Sequence, residues 1–263
     1  MEIFKGQNLI EFSARFKTEK DCKRYSAEMK WKDGYSCRKC GHIKYQELKV
    51  LKDVSRCCSI CSHIESPTAN TLFHKLKFGL QKAFFICFEM STTTKSLSAN
   101  QTGVRFGIRE KSARLFMQKV REAMKSSENY LMDAYVHVDG FAIGGKENNK
   151  PGRSYDSKKK KTVCAVQLTK EGIVKRFYAM KIDDFSAKSL CPIFDKHISG
   201  QAKITIDEWK GYNPIATTYN ITQIPSNNGK NFKAIHTLLH QVKSWIRATY
   251  SWVSQSNIDR YYS

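Results

Sequence analysis

The sequence predicts a mixed α/β (α+β) chain, a sheet of mixed strand direction flanked by helices, entered through a small β-rich element and a helical segment. Three observations predict it. Two Cys-x-x-Cys pairs, at Cys37 and Cys40 and at Cys58 and Cys61, fall in a short stretch with turn glycines. A helical pattern then runs from about Leu72 to Lys125, and after Asn129 the apolar period shortens to two. Strands followed by a helix, another strand and more helices make a sheet with helical cover.

In chain order, residues 1–30 read as a charged helical segment, with Asn8, Phe12, Phe16 and Cys22 set among Glu, Lys and Arg. Residues 31–70 are the ribbon. Its knuckles are separated by 17 residues, a spacing at which two turns aim four sulfurs at one tetrahedral ion. Zn²⁺ held by Cys37, Cys40, Cys58 and Cys61 is the expectation, with His42 and His63 as second choices. Cys57 adjoins Cys58 but lacks the spacing to Cys61. Such a site contributes folding energy and keeps no open position for chemistry.

Residues 71–128 carry helices around a Gly-containing turn, Gly103-Val-Arg-Phe-Gly107. The last helix, Ile108 to Met124, sets Ala113, Phe116, Met117 and Val120 on one face and Arg109, Lys111, Arg114, Lys119 and Arg121 largely elsewhere. That outline is helix-turn-helix-like, with Arg109 and Arg114 as candidate DNA contacts; an ordinary helical hairpin has the same outline. Residues 129–263 form the last domain. Its expected strands are Tyr135 to Asp139, Lys161 to Leu168, Val174 to Ile182 and Ala202 to Ile206, with Gly172 turning a hairpin. A helix from Ser186 to His197, a short one near Tyr212 to Tyr219, a strand near Gln223 and a long amphipathic helix from Phe232 to Ile246 complete it. The loop after the first strand ends in Lys158, Lys159, Lys160 and Lys161, a basic run suited to phosphates.

Charge narrows the function class. With 45 Lys and Arg against 24 Asp and Glu the formal net charge is +21, which favours polyanions through counterion release. No segment reaches the ~18 apolar residues of a membrane span, and the N-terminus lacks a signal-peptide pattern. Nine cysteines without an export signal point to a reducing, cytoplasmic setting.

Asp139 is expected at the end of the first strand and Asp207 at the end of the strand after the helix. Side by side, the two carboxylates would suit Mg²⁺, and a pair of ions about 4 Å apart can serve both oxygens of a phosphodiester displacement. The alternative is a pair of strand-end turn residues. A third carboxylate is missing: beyond Glu208 the only acid is Asp259, and the last helix offers His236 and His240, with Lys243 one turn on.

The order of these pieces resembles insertion-sequence transposases of the DDE superfamily, in the group with an N-terminal zinc ribbon and an ISXO-type catalytic domain. The resemblance covers roughly residues 10–263. It rests on the two cysteine pairs, Ser66-Pro-Thr-Ala-Asn-Thr-Leu-Phe-His74, Ser112 to Met124, Val138-Asp139 before Ile143-Gly-Gly-Lys146, Asp207-Glu-Trp-Lys-Gly-Tyr212 and His236 to Arg247. It implies an RNase H-like core, binding of element ends on double-stranded DNA, assembly as a homo-oligomer on that DNA, and metal-dependent strand cleavage and transfer. Asp139 and Asp207 fall on the family's first two catalytic acids. His236 falls where most members carry the third, usually Glu, seven residues before Lys243. An imidazole there suits Mn²⁺ better than Mg²⁺ and can also carry a proton. Gly140 stands where the family usually has Glu, and the chain stops at Ser263 where relatives continue, which reads as either a truncated copy or an incomplete open reading frame. The competing expectations are a remnant that only binds DNA and an RNase H-type nuclease without specific ends.

Overall fold

The computed structural model describes residues 8–48, 54–93, 97–125, 130–145, 147–148, 157–250, 253–254 and 258–262. The chain forms two compact units, 1–123 and 124–263.

In the first unit, helices α1 (Leu9–Arg15) and α2 (Glu19–Lys30) replace the single helical run expected at the N-terminus. The break is local chemistry. Thr18 is extended, its hydroxyl accepts the Asp21 N–H, and the Asp21 carboxylate accepts the Thr18 N–H, so a capping box restarts the helix. Strands β1 (Tyr45–Glu47), β2 (Arg56–Cys58) and β3 (Ile64–Glu65) make a three-stranded antiparallel sheet. Glu65, 3% exposed, receives Lys30 Nζ at 2.8 Å and Arg38 Nε at 3.2 Å, and Lys30 also donates to the Ser66 and Ala69 carbonyls. A buried carboxylate so supplied ties α2 to the ribbon, and stripping it of its cations would leave an uncompensated charge.

Helices α3 (Leu80–Thr92), α4 (Ala99–Phe106) and α5 (Glu110–Met124) follow. The Glu19 carboxylate of α2 accepts the Leu80 and Gln81 N–H groups and so caps α3. Helix α4 occupies most of the stretch expected as a turn. Ser98 and Gln101 form its capping box, and Gly107 ends it in the left-handed region at φ 59°. Gly103 lies inside α4, where a Cβ would come within 2.9 Å of the Ile108 carbonyl oxygen; it serves close approach, and the turn is at Gly107. Phe12, Phe16, Cys22, Leu80 and Phe84 form one core, and Ala83, Ile86, Phe116, Met117 and Val120 another.

The second unit is built on a five-stranded sheet in the order β6-β5-β4-β7-β8. The strands are β4 (Tyr135–Ile143), β5 (Lys160–Leu168), β6 (Val174–Lys181), β7 (Lys203–Ile206) and β8 (Ile221–Gln223). The first three pair antiparallel, whereas β4–β7 and β7–β8 are parallel. Helix α6 (Ala187–His197) covers one face through Leu190, Ile193 and Phe194 against Val136, Val138, Val163 and Ala165. Helix α7 (Lys233–Thr249) belongs to the other, where Ile235 and Leu239 meet Phe141, Cys164 and Val166. The mixed sheet with helices on both faces is consistent with the RNase H-like core that the resemblance implies. The helix expected near Tyr212 to Tyr219 is instead a single 3-10 turn, Lys210–Tyr212, followed by turns. Among the described residues, no helix is long and apolar enough to cross a membrane.

Candidate functional site

Two knuckles of near-identical build converge in the ribbon. The Cys37 N–H donates to the His42 carbonyl at 2.8 Å, and the Cys58 N–H donates to that of His63 at 3.0 Å. Gly41 and Ser62 take the left-handed backbone that each knuckle needs, at φ 74° and 53°. The sulfurs of Cys40 and Cys61 stand 3.4 Å apart, those of Cys37 and Cys61 3.5 Å and those of Cys40 and Cys58 3.6 Å. Four thiolates at about 2.3 Å around a tetrahedral ion would lie roughly 3.8 Å apart, so the set fits zinc. Burial opposes ionising Cys37, yet the Cys40 and Lys39 N–H groups and the Cys61 thiol outweigh it and bring its pKa down to about 6. Cys58 is lowered too, chiefly by the Cys61 N–H. The four-residue cluster contains neither His42 nor His63, whose backbone carbonyls serve the knuckles instead. Cys57 also stands outside it.

The second candidate site lies on the α7 face of the β-sheet. Asp139 does not end its strand. Antiparallel pairing with β5 carries β4 on to Ile143, whereas parallel pairing with β7 stops at Val138 opposite Ile206. Asp139 and Asp207 are therefore the next residues along two adjacent parallel strands. Both line one small cavity of about 190 Å³, with Ser226, Phe232 and His236. The Gly140 N–H donates to Asp139 Oδ1 at 2.7 Å, and the Trp209 N–H to Asp207 Oδ1 at 3.3 Å, so backbone donors orient both carboxylates. His236 Nε2 stands 3.8 Å from Asp139 Oδ2, too far for a hydrogen bond. Two donors each about 2.1 Å from a shared ion span at most ~4.2 Å, so the separation fits ligands of one metal. Gly229, at φ 83°, brings its turn to 3.5 Å from the His236 ring, measured from the position of a Cβ.

A larger cavity of about 570 Å³ adjoins it, sharing Asp139, Gly140 and His236 and adding Lys159, Phe185, His240 and Lys243. Burial pushes the half-buried Lys243 ammonium down, against the pull of Asp139. Phe185 explains Gly140. A Cβ at Gly140 would meet the Phe185 ring at 2.6 Å, and the Phe185 carbonyl is itself fixed by the Trp209 indole N–H at 3.0 Å. An acid at position 140 would have to displace that ring. Gly140→Ala is expected to cost about 1–3 kcal/mol as overpacking, and clearly less when Phe185 is also replaced by Leu. Chemical denaturation of the four proteins measures that coupling; equal cost in both backgrounds would remove Phe185 as the cause.

The basic residues divide. Arg109 and Arg114 are exposed, one just before α5 and one on it. Arg121 is buried and so leaves the solvent-facing row, whereas Lys119 is exposed and donates to the His74 carbonyl at 3.0 Å. Lys158 and Lys159 precede β5, and Lys160 opens it. Lys161, expected as a phosphate contact, is 5% exposed. Strand alternation turns it to the α6 face, where it adds a minor pull to the Ser186 and Ser189 hydrogen bonds that lower the pKa of Asp184. Sequence reasoning missed Phe185, Phe232 and Ser226; only Gly140, a residue with no side chain beside a candidate acid, hinted at a ring packed there.

No curated protein matches the chain. Residues 131–263 match the ISXO2-like transposase domain. That stretch is half of the 263 residues and contains the whole five-stranded sheet together with Asp139, Asp207 and His236. On that match, and on a sheet of the RNase H-like kind, the chain belongs to the family of ISXO2-like transposase domains.

Proposed function

We propose that this chain is an insertion-sequence transposase that binds element ends on double-stranded DNA and catalyses metal-dependent strand cleavage and transfer. The observation that carries the reading is the single cavity shared by Asp139, Asp207 and His236 where the parallel pairing of β4 and β7 runs out. Asp139 and Asp207 hold Mg²⁺ or Mn²⁺ through carboxylate oxygens already oriented by backbone N–H groups. The ion, when bound, activates the attacking hydroxyl and stabilises the leaving oxygen of the phosphodiester. His236 completes the ligand set or carries a proton at Nε2, the atom nearer Asp139.

Lys159 and Lys243 line the larger cavity beside Asp139 and hold the phosphates that flank the reacting one, with Lys158 and Lys160 adjoining them. Arg109 and Arg114 bind end DNA, and the zinc ribbon (residues 31–70) with the helical segment (71–128) serves as the end-binding part ahead of the catalytic domain. Copies assemble on paired ends.

Strand transfer with the element's own ends is the test. Purified protein is expected to produce joined products with Mn²⁺ at least as efficiently as with Mg²⁺, because the third position offers an imidazole. Intact end binding with no product in either metal would make the chain a DNA-binding remnant. Cutting that ignores the end sequence would make it a nuclease.

A further inference from the structure

We propose that a second cavity, next to the acidic one, is a nucleobase site that takes an unpaired or extruded base of the DNA strand whose backbone crosses Lys243. The proposal rests on the DNA-cutting reading above and names a ligand for a space which that reading leaves unused. The cavity measures about 520 Å³. Small-molecule sites run from roughly 300 to 1,000 Å³, apolar in wall with a few placed polar groups. Here the wall is Ile143, Ile246, Val253 and Tyr250, and the polar groups are three cations, Lys160, Lys243 and Arg247.

Its position ties it to DNA. Ala142, Gly144 and Lys243 line both this cavity and the larger one beside Asp139, so the two are continuous around one ammonium. A phosphate on Lys243 would have the reacting phosphodiester on one side and this cavity on the other. Lys243 and Arg247 lie four residues apart on α7, and Arg247 Nε donates to the Lys243 carbonyl at 3.2 Å, which holds the guanidinium alongside. Tyr250 is braced by Tyr261, with ring centroids 4.5 Å apart, and by Trp245 at 6.1 Å. An aromatic wall, apolar walls and cations at the rim match a base with its phosphate. Among the described residues, no amide or carboxylate side chain lines the cavity, so it holds a base by stacking and contact and selects little by sequence. A duplex cannot enter such a space; a single nucleotide turned out of the stack can.

Gly145 makes the site testable, because it lines the cavity and a Cβ there meets nothing within 4 Å. Gly145→Phe should therefore fill the space without disturbing the sheet. The full chain is titrated, by fluorescence anisotropy in a metal-free buffer that leaves the zinc bound, with a short duplex ending in one unpaired adenosine. The comparison duplex carries an abasic nucleotide at that position. Base–aromatic stacking predicts that the adenosine duplex binds roughly tenfold tighter. Gly145→Phe should abolish the preference while leaving the affinity for the abasic duplex within about twofold. Tyr250→Leu, which keeps apolar volume but removes the ring, should reduce the preference in the same way. Equal binding of the two duplexes by the native chain overturns the base site, as does a preference that survives both variants. Failure to bind either duplex would instead overturn the DNA reading on which the site rests.

Discussion

Asp139→Asn is expected to abolish strand cleavage and transfer, by about a thousandfold or more, with the fold and end binding intact. The magnitude follows from the several kcal/mol that a held cation contributes to a charged phosphoryl transition state, at tenfold in rate per 1.36 kcal/mol. The substitution keeps the volume of the side chain, and its amide oxygen still accepts the Gly140 N–H that now reaches Asp139 Oδ1 at 2.7 Å. What is lost is the anionic charge. Asp207→Asn should have the same effect for the same reason, since both carboxylates border one cavity. The double variant should be little worse than either single one, because ligands of one ion act as a unit. Gel-resolved cleavage of labelled element ends measures this, alongside melting temperature and end affinity. A variant that keeps more than a tenth of native activity would dismiss that residue as a ligand. A matching loss of end affinity would show that the carboxylate serves DNA binding.

Cys58→Ser is expected to strip the protein of zinc and unfold the ribbon, whereas Cys57→Ser, one residue away, should do neither. Structural zinc in small ribbons contributes roughly 10–16 kcal/mol at neutral pH, far more than a sheet of three strands, of three, three and two residues, can supply alone. Cys58 is buried in the four-sulfur cluster, with its N–H and carbonyl both engaged in the knuckle. Cys57 lies outside the cluster and pairs in register with Ile64 across β3. Metal content by mass spectrometry, with limited proteolysis across residues 31–70, separates the two variants. One zinc per chain retained in Cys58→Ser would mean that three sulfurs and another donor suffice. Zinc lost from Cys57→Ser would mean that the ligand set is misassigned. Because Glu65 and Lys30 join α2 to the ribbon, the loss should also loosen the Trp31 and Tyr35 packing around Cys37.

Much of this was legible because the signals are local. Two knuckles carry their own turn residues, so their spacing foretold a four-sulfur site before any packing was known. The amphipathic period of α7 and the alternation in β4 and β5 set which side chains share a face, and the structure keeps those faces. The capping pairs Thr18 with Asp21 and Ser98 with Gln101 were equally local and mark the helix breaks that periodicity alone missed. Gly103 misled because glycine signals a turn and a close approach alike, and a sequence does not say what approaches.

By itself, the sequence determined the ribbon's four sulfurs, the order of the strands of the last domain, the strongly basic charge and the presence of two aspartates followed by a histidine on the last helix. Tertiary structure alone decided which strands became neighbours, and so set Asp139 and Asp207 around one cavity with His236. It likewise decided that Lys161 turns inward while Lys159 and Lys160 line the cavities, and that the Phe185 ring occupies the space above Gly140. The physical reason is range. A period of two or 3.6 reports which way a side chain points relative to its own backbone, whereas the partner it meets is set by strand pairing and packing between residues tens of positions apart.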